Sequence, residues 1–194
     1  MRHECPSCGA IFGPQKVLRL SPEQIEEDYR RTYAWYEEGD ATESELKAFK
    51  CLGPRMDGHY LNYGAGRWSR MLSLARQMGY DIIGYDPFVA SESPYVVSSA
   101  EELKRRRFDG IMSNNLIEHL TDPVGSFSFM RSLLADDGVM AHCTPCYEYS
   151  YEFSRFHVIF FTGKALDAVC RRSGLVWTPT ADPMVRLFRP IQGG

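Results

Sequence analysis

The stretch Tyr60-Leu61-Asn62-Tyr63-Gly64-Ala65-Gly66 decides the fold. Its first four residues have the length and apolar character of a buried strand, and two closely spaced glycines end it. Glycines at a strand end let the backbone approach a ligand, and the helix that follows presents an electropositive N-terminus. That helix is marked by Trp68, Met71, Leu72, Ala75 and Met78 on one face, with Gly79 as its stop. On its own the pattern describes many strand-to-helix turns. Asp86 strengthens it. The residue stands 22 positions after Gly64, at the tip of the next strand, Asp81-Ile82-Ile83-Gly84-Tyr85. A carboxylate placed there accepts both hydroxyls of a ribose. The alternative, two turn glycines and an unrelated Asp86-Pro87 turn, stays open at this point.

Strand and helix signals alternate onward from this core. Tyr95 to Val97 reads as a short strand, Ala100 to Arg105 as a short helix and Phe108 to Met112 as a strand. Ser113-Asn114-Asn115 and a helical turn through Glu118-His119 follow. Phe127, Met130 and Leu134 share a helix face, and Val139 to His142 forms the next strand. Thr162 is the expected cap of a helix carrying Leu166, Val169 and Cys170, stopped at Gly174. Leu175 to Trp177 and Met184 to Phe188 flank Asp182-Pro183 as an antiparallel hairpin. The rhythm predicts an α/β fold, a Rossmann-like doubly wound, mostly parallel sheet with a C-terminal antiparallel hairpin. Ligands of such sheets sit at the C-terminal ends of the strands.

Residues 1–57 differ from this pattern. Cys5-Pro6-Ser7-Cys8-Gly9 is a tight knuckle. Ser21, Pro22 and Gln24 spell an N-cap, a first-turn proline and a capping-box partner, opening a helix with Ile25, Tyr29 and Tyr33 on one face. Gly39-Asp40 ends it. Thr42 and Glu45 repeat the capping-box pattern before Leu46 and Phe49. Gly53-Pro54 and Asp57-Gly58 mark the boundary between a Cys-x-x-Cys and helical cap, 1–57, and the sheet domain, 58–194.

The chain of 194 residues is 44% hydrophobic and 24% charged, ordinary globular values. No apolar run approaches the roughly 18 residues of a membrane span, and the opening Met-Arg-His-Glu-Cys lacks the apolar core of a secretory signal. A cytoplasmic protein with reduced cysteines is expected. A net charge of −3 and a pI near 6.0 give no footing for a nucleic-acid track or an anionic membrane surface. The run Lys104-Arg105-Arg106-Arg107 reads as the solvated end of a helix.

The third glycine of a dinucleotide fingerprint would fall at position 69, which is Ser69. No Tyr-x-x-x-Lys pair follows. From about residue 60 to about 177 the chain instead resembles the class I S-adenosylmethionine-dependent methyltransferase family, in the small-molecule branch that includes the quinone-biosynthesis enzymes. The resemblance rests on Leu61 to Gly66, on Gly84-Tyr85-Asp86-Pro87, and on Phe108-Asp109-Gly110-Ile111 leading into Ser113 to Leu120. Leu133 to Gly138 with Thr144-Pro145, and His157 with Phe160-Phe161-Thr162, complete it in the family's order.

This resemblance implies S-adenosylmethionine as cofactor, held by Tyr63, Gly64, Ala65, Gly66, Asp86, Pro87 and Asn114. Asp86 would take the ribose and Asn114 the methionyl side, and Ser99-Ala100-Glu101 would lie near adenine. The family usually has an acidic residue where Asn62 stands. The implied reaction is methyl transfer to a small molecule or glycan, with oxygen the expected acceptor atom. A hydroxyl acceptor needs a base, and a histidine with pKa near 6.5 suits that role. His119 with Glu118 is the first candidate and His157 the second. His157 follows an aromatic stretch (Tyr147, Tyr149, Tyr151, Phe153, Phe156) fit for a lid or for core. The alternative functions are a non-catalytic S-adenosylmethionine-binding module and a zinc-ribbon adaptor.

The cysteines leave two arrangements open. Cys5, Cys8, Cys143 and Cys146 supply the four thiolates of a closed structural zinc site. Equally, the first pair forms a turn without metal while the second packs as small apolar residues. No metal ligand is assigned. The Asn/Asp-Pro-Pro-aromatic motif of enzymes that methylate nucleobases is absent, so no nucleic-acid partner is expected.

Overall fold

The computed structural model describes residues 1–35, 39–67, 69–88, 93–149 and 156–191. In chain order the elements are β1 (His3–Glu4), β2 (Ile11–Phe12), α1 (Gln15–Leu18), α2 (Pro22–Trp35), α3 (Thr42–Cys51), β3 (His59–Tyr63), α4 (Arg70–Gln77), β4 (Asp81–Tyr85), β5 (Val96–Val97), α5 (Ala100–Leu103), β6 (Phe108–Asn114), α6 (Pro123–Leu133), β7 (Leu134–Cys143), β8 (Ile159–Phe160), α7 (Ala165–Ser173), β9 (Leu175–Pro179) and β10 (Val185–Pro190). Short 3₁₀ turns occupy Ile117–His119 and Pro145–Tyr147.

Seven strands form one sheet in the order β5-β4-β3-β6-β7-β10-β9. The pairs from β5 through β7 are parallel, and β10 runs antiparallel to both β7 and β9. This is the mostly parallel sheet with an antiparallel C-terminal hairpin that the alternation predicts. Side chains of successive strand residues point to opposite faces. Tyr60, Ile82, Met112, Val139 and Ala141 thus pack with Ala48, Phe49 and Leu52 of α3 and Met71, Leu72 and Ala75 of α4. Leu61, Ile83, Ile111 and Met140 pack on the other face with Phe127, Met130 and Leu133 of α6 and Leu166 and Val169 of α7. Both faces are apolar, as a covered parallel sheet requires. Strand order reverses between β3 and β6, and the crevice at their C-terminal ends is where this topology places ligands.

A second sheet, β1-β2-β8, is antiparallel throughout. It joins the N-terminal knuckle to the segment after β7: the Lys164 N–H donates to the Cys8 carbonyl at 2.7 Å and the Gly13 N–H to the Val158 carbonyl at 2.9 Å.

Ser21 caps α2 as its sequence predicts: the Ser21 N–H donates to Gln24 Oε1 at 2.9 Å and the Gln24 N–H to Ser21 Oγ at 3.3 Å. Three local expectations are corrected. Thr42 and Glu45 make no capping box, because the Glu45 side chain turns inward to Asn62 and Ser69, and the Thr42 N–H donates instead to Asp40 Oδ1. Thr162 does not cap α7, because its hydroxyl donates to the Gly9 carbonyl. Strand β7 begins at Leu134 rather than Val139, since Leu134 pairs with Phe108 across a register shift. Trp68, Tyr151, Phe153 and the Tyr33 side chain lie outside the described residues.

Candidate active site

The glycine loop is built by backbone geometry. Gly64 and Gly66 have φ of +80° and +67°, in the left-handed region where other residues are strained. The N–H groups of Gly64 and Ala65 donate to the Tyr85 carbonyl at 2.8 and 3.0 Å, which clamps the loop onto the end of β4. The Gly66 N–H donates to Asp86 Oδ2 at 3.0 Å, and the Phe88 N–H donates to Asp86 Oδ1 at the same distance. Asp86 is therefore buried and aimed beside the loop. Tyr63 packs on Tyr85 with ring centroids 4.9 Å apart. Asn114 ends β6, and its Oδ1 is buried without a partner among the described residues. Tyr63, Gly64, Ala65, Gly66, Asp86, Pro87 and Asn114 all line one cleft of about 1480 Å³.

His119 and His157 line the same cleft. The Val158 N–H donates to the Glu118 carbonyl at 2.8 Å, and this bond holds the His157 segment against the turn that carries Glu118 and His119. The two imidazoles meet edge to face with centroids 4.9 Å apart. Glu118 is 0% exposed, and neither carboxyl oxygen has a partner among the described residues. Burial pushes its pKa up to about 7. Burial first, and then the neighbouring His157, push the His119 pKa down to about 4. Potential ligand atoms of Glu118, His119 and His157 all lie within 4.8 Å of one another. Two imidazoles and a carboxylate suit a divalent ion as well as a proton relay.

Three residues that the sequence did not mark for the site also belong to it. Tyr29 of α2 lies between Phe88 and Phe156, stacked on both at 5.5 and 5.2 Å, with its edge toward His119 at 6.5 Å. Phe88 adjoins Asp86-Pro87, and no strand or helix signal singles it out. Glu45 of α3, 7% exposed, receives hydrogen bonds from Asn62 Nδ2 at 2.9 Å and from Ser69 Oγ at 3.1 and 3.0 Å. The one sequence signal for it was the missing carboxylate at position 62.

The four paired cysteines do not converge. Cys5 and Cys8 sit in the β1–β2 turn. Cys143 and Cys146 are buried where β7 ends, with thiols pushed by burial up to about 12. Among the described residues the one group of three or more potential ligands is Glu118, His119 and His157. Lys104 and Arg106 pair with Glu101 and Glu102 on the exposed end of α5.

A family model described as a methyltransferase domain matches residues 16–179. The chain belongs to the methyltransferase domain family. Its fold and motifs are those of the class I S-adenosylmethionine-dependent type. Among solved structures, this methyltransferase is similar to the 1,6-didemethyltoxoflavin-N1-methyltransferase of Burkholderia thailandensis with 1,6-didemethyltoxoflavin and S-adenosylhomocysteine bound. The TM-score is 0.60 at 15% identity, covering 96% of each chain. It is also similar to CalO1, a methyltransferase of calicheamicin biosynthesis in its S-adenosylhomocysteine-bound form. There the TM-score is 0.57 at 15% identity, over 92% of this chain but only 65% of CalO1. An O-methyltransferase family protein of B. thailandensis gives 0.59 at 11% identity, covering 90% of this chain and 65% of that one. No curated protein sequence matches the chain.

S-adenosylmethionine, the cofactor of this family, fits the residues present. The glycine loop leaves its backbone open to the cleft, Asp86 offers a carboxylate at the end of β4, and the orphaned Asn114 oxygen awaits a donor. Among the described residues no helix is long and apolar enough to cross a membrane.

Proposed function

We propose that this methyltransferase acts in the cytoplasm on a hydroxyl group of a small molecule or glycan, with His119 receiving the proton. One observation supports this: a histidine pair with a buried carboxyl beside it lines the same cleft as the glycine loop. When bound, S-adenosylmethionine supplies an already electrophilic methyl group, so positioning the acceptor in line is most of the catalytic task.

Each residue has a place in that task. The backbone of Gly64, Ala65 and Gly66 would hold the methionine part of the cofactor, Asp86 would accept the ribose hydroxyls, Asn114 would meet the methionyl side, and Tyr63 and Pro87 would wall the site. The Phe88–Tyr29–Phe156 stack gives the cleft an aromatic wall against which an acceptor can pack. His119, with a pKa near 4, is neutral at pH 7 and has a lone pair to offer. Alone it is a weak base. Glu118 behind it, with a pKa near 7, is partly ionised there, and its negative charge favours the imidazolium as the acceptor proton arrives. His157, edge to face with His119 in the same cleft, is the second candidate to receive the proton. The base works best once Glu118 has lost its proton, so the rate climbs as pH passes through about 7.

The test is release of S-adenosylhomocysteine across a panel of hydroxylated small molecules and glycans. His119→Ala should cut turnover about 10²–10⁴-fold with cofactor affinity unchanged. Glu118→Gln should flatten the rise near pH 7. A His119→Ala protein that methylates as fast as wild type ends the assignment.

A further inference from the structure

The cofactor's amino-acid end carries an ammonium group, and a carboxylate within hydrogen-bonding reach holds such a group more strongly than neutral acceptors do. Five carboxylates line the described cleft: Asp40, Glu45, Asp86, Asp122 and Glu148. Asp86 is engaged with Gly66 and Phe88 on the β4 side of the loop. Asp122 caps α6 through the Gly125 N–H at 2.9 Å. Asp40 is exposed, accepts from the Thr42 N–H and faces Arg70. Glu148 is exposed. Glu45 alone of these is buried on the β3 side of the glycine loop, tied to Asn62 two residues before Gly64 and to Ser69 at the start of α4.

We propose that Glu45, carried by α3 and not by any strand of the sheet, is the residue that receives the cofactor's ammonium group. The inference rests on the cofactor assignment above. Asn62 holds the Glu45 carboxylate in place by donating from Nδ2, an arrangement an aspartate at 62 would repel. Ser69 donates to the same carboxylate while its oxygen accepts from the Leu72 N–H at 3.1 Å, so one hydroxyl joins Glu45 to the N-terminus of α4. The negative charge that β3 lacks is thereby delivered from the side. It follows that the N-terminal segment is part of the cofactor site as well as a cover for the acceptor.

Calorimetry on the full chain with two ligands isolates the effect. S-adenosylhomocysteine has the ammonium group; 5′-methylthioadenosine keeps the adenosine and sulfur but lacks the amino-acid end. Glu45→Gln preserves side-chain size, and thermal melting verifies that it folds. The expected result is at least a tenfold loss of S-adenosylhomocysteine affinity, the scale of one hydrogen bond to a charged group, with methylthioadenosine affinity within about twofold of wild type. The double variant E45Q/N62D, which returns a carboxylate to the end of β3, should regain most of the loss. Equal losses for both ligands, or no loss for either, overturn the proposal. A wild-type chain that binds neither ligand refutes the cofactor assignment itself, and this inference with it.

Discussion

Gly84 is where the sheet makes room for the glycine loop, and one added methyl group there tests the site from outside it. A Cβ at position 84 would lie 2.8 Å from the Cβ of Ala65, 2.9 Å from Val96 Cγ2 and 3.3 Å from Leu72 Cδ2. Carbon atoms pack at about 3.5–4.0 Å, so Ala65 would have to retreat by about 1 Å. Its Cβ is fixed to the backbone and has no rotamer to escape into. The retreat therefore strains the bonds from Gly64 and Ala65 to the Tyr85 carbonyl. Overpacking of this kind costs about 1–3 kcal/mol. The lower entropy of an unfolded chain with alanine in place of glycine offsets about 0.4–1 kcal/mol. Gly84→Ala should therefore lose about 1–2 kcal/mol in urea unfolding. In calorimetry it should bind S-adenosylhomocysteine about tenfold more weakly, as for a loop that has lost one good hydrogen bond. Gly39→Ala is the control, because an added Cβ there meets nothing within 4 Å. Wild-type stability together with wild-type affinity in Gly84→Ala would refute the claim that this contact sets the loop.

Two further outcomes follow from buried groups elsewhere. His142 packs against Phe127 and Phe188, its Nδ1 2.8 Å from Ser113 Oγ, and burial holds its pKa down to about 3. A pKa depressed on folding gives stability that is present above the unfolded value of about 6.5 and lost as pH falls toward 3, at about 1.4 kcal/mol per pH unit. Urea midpoints should fall below pH 6.5, and His142→Gln should lower that slope by one proton; an unchanged slope contradicts the account. Because the cysteine pairs stay apart, Cys143→Ser should leave the zinc content of purified protein, read by atomic emission, as it is in wild type. Loss of one equivalent would mean that the four thiols do come together.

The sheet was legible because its central strands are short apolar runs bounded by turn residues and its helices carry a period near 3.6, signals that survive any tertiary arrangement. The glycine loop and Asp86 were legible for a related reason: they stand at strand ends, and topology gathers strand ends at one edge. Glu45 was not. Three residues after Thr42, it matched a capping box, a favourable local arrangement that lost to the two donors of Asn62 and Ser69. Thr162 misled in the same way, its hydroxyl taken by Gly9, which is 153 residues away in sequence. Tyr29 was placed on the aromatic face of α2, but nothing local says which wall an amphipathic helix will cover.

Each of these misses involves the N-terminal segment: Tyr29 and Glu45 lie in it, and Thr162 donates to its Gly9. Gly64, Asp86 and Asn114 stand on or beside strands whose register the parallel ladder fixes. Tyr29, Phe156 and His157 line the same cleft from segments outside the large sheet. His157 is held by what surrounds it: Arg2 donates to its carbonyl and to that of Gly13, the Gly13 N–H bonds Val158, and the Val158 N–H bonds Glu118. The N-terminal residues thus brace one histidine of the pair, while Glu45 of α3 reaches Asn62 and Ser69 beside the glycine loop. A segment that contributes no strand to the large sheet lines the cleft beside the histidine pair, through Tyr29, and beside the glycine loop, through Glu45. Under the proposed function, a change of acceptor is expected to arise in that segment while the parallel ladder keeps Gly64, Asp86 and Asn114 in place, provided α3 keeps Glu45 against Asn62.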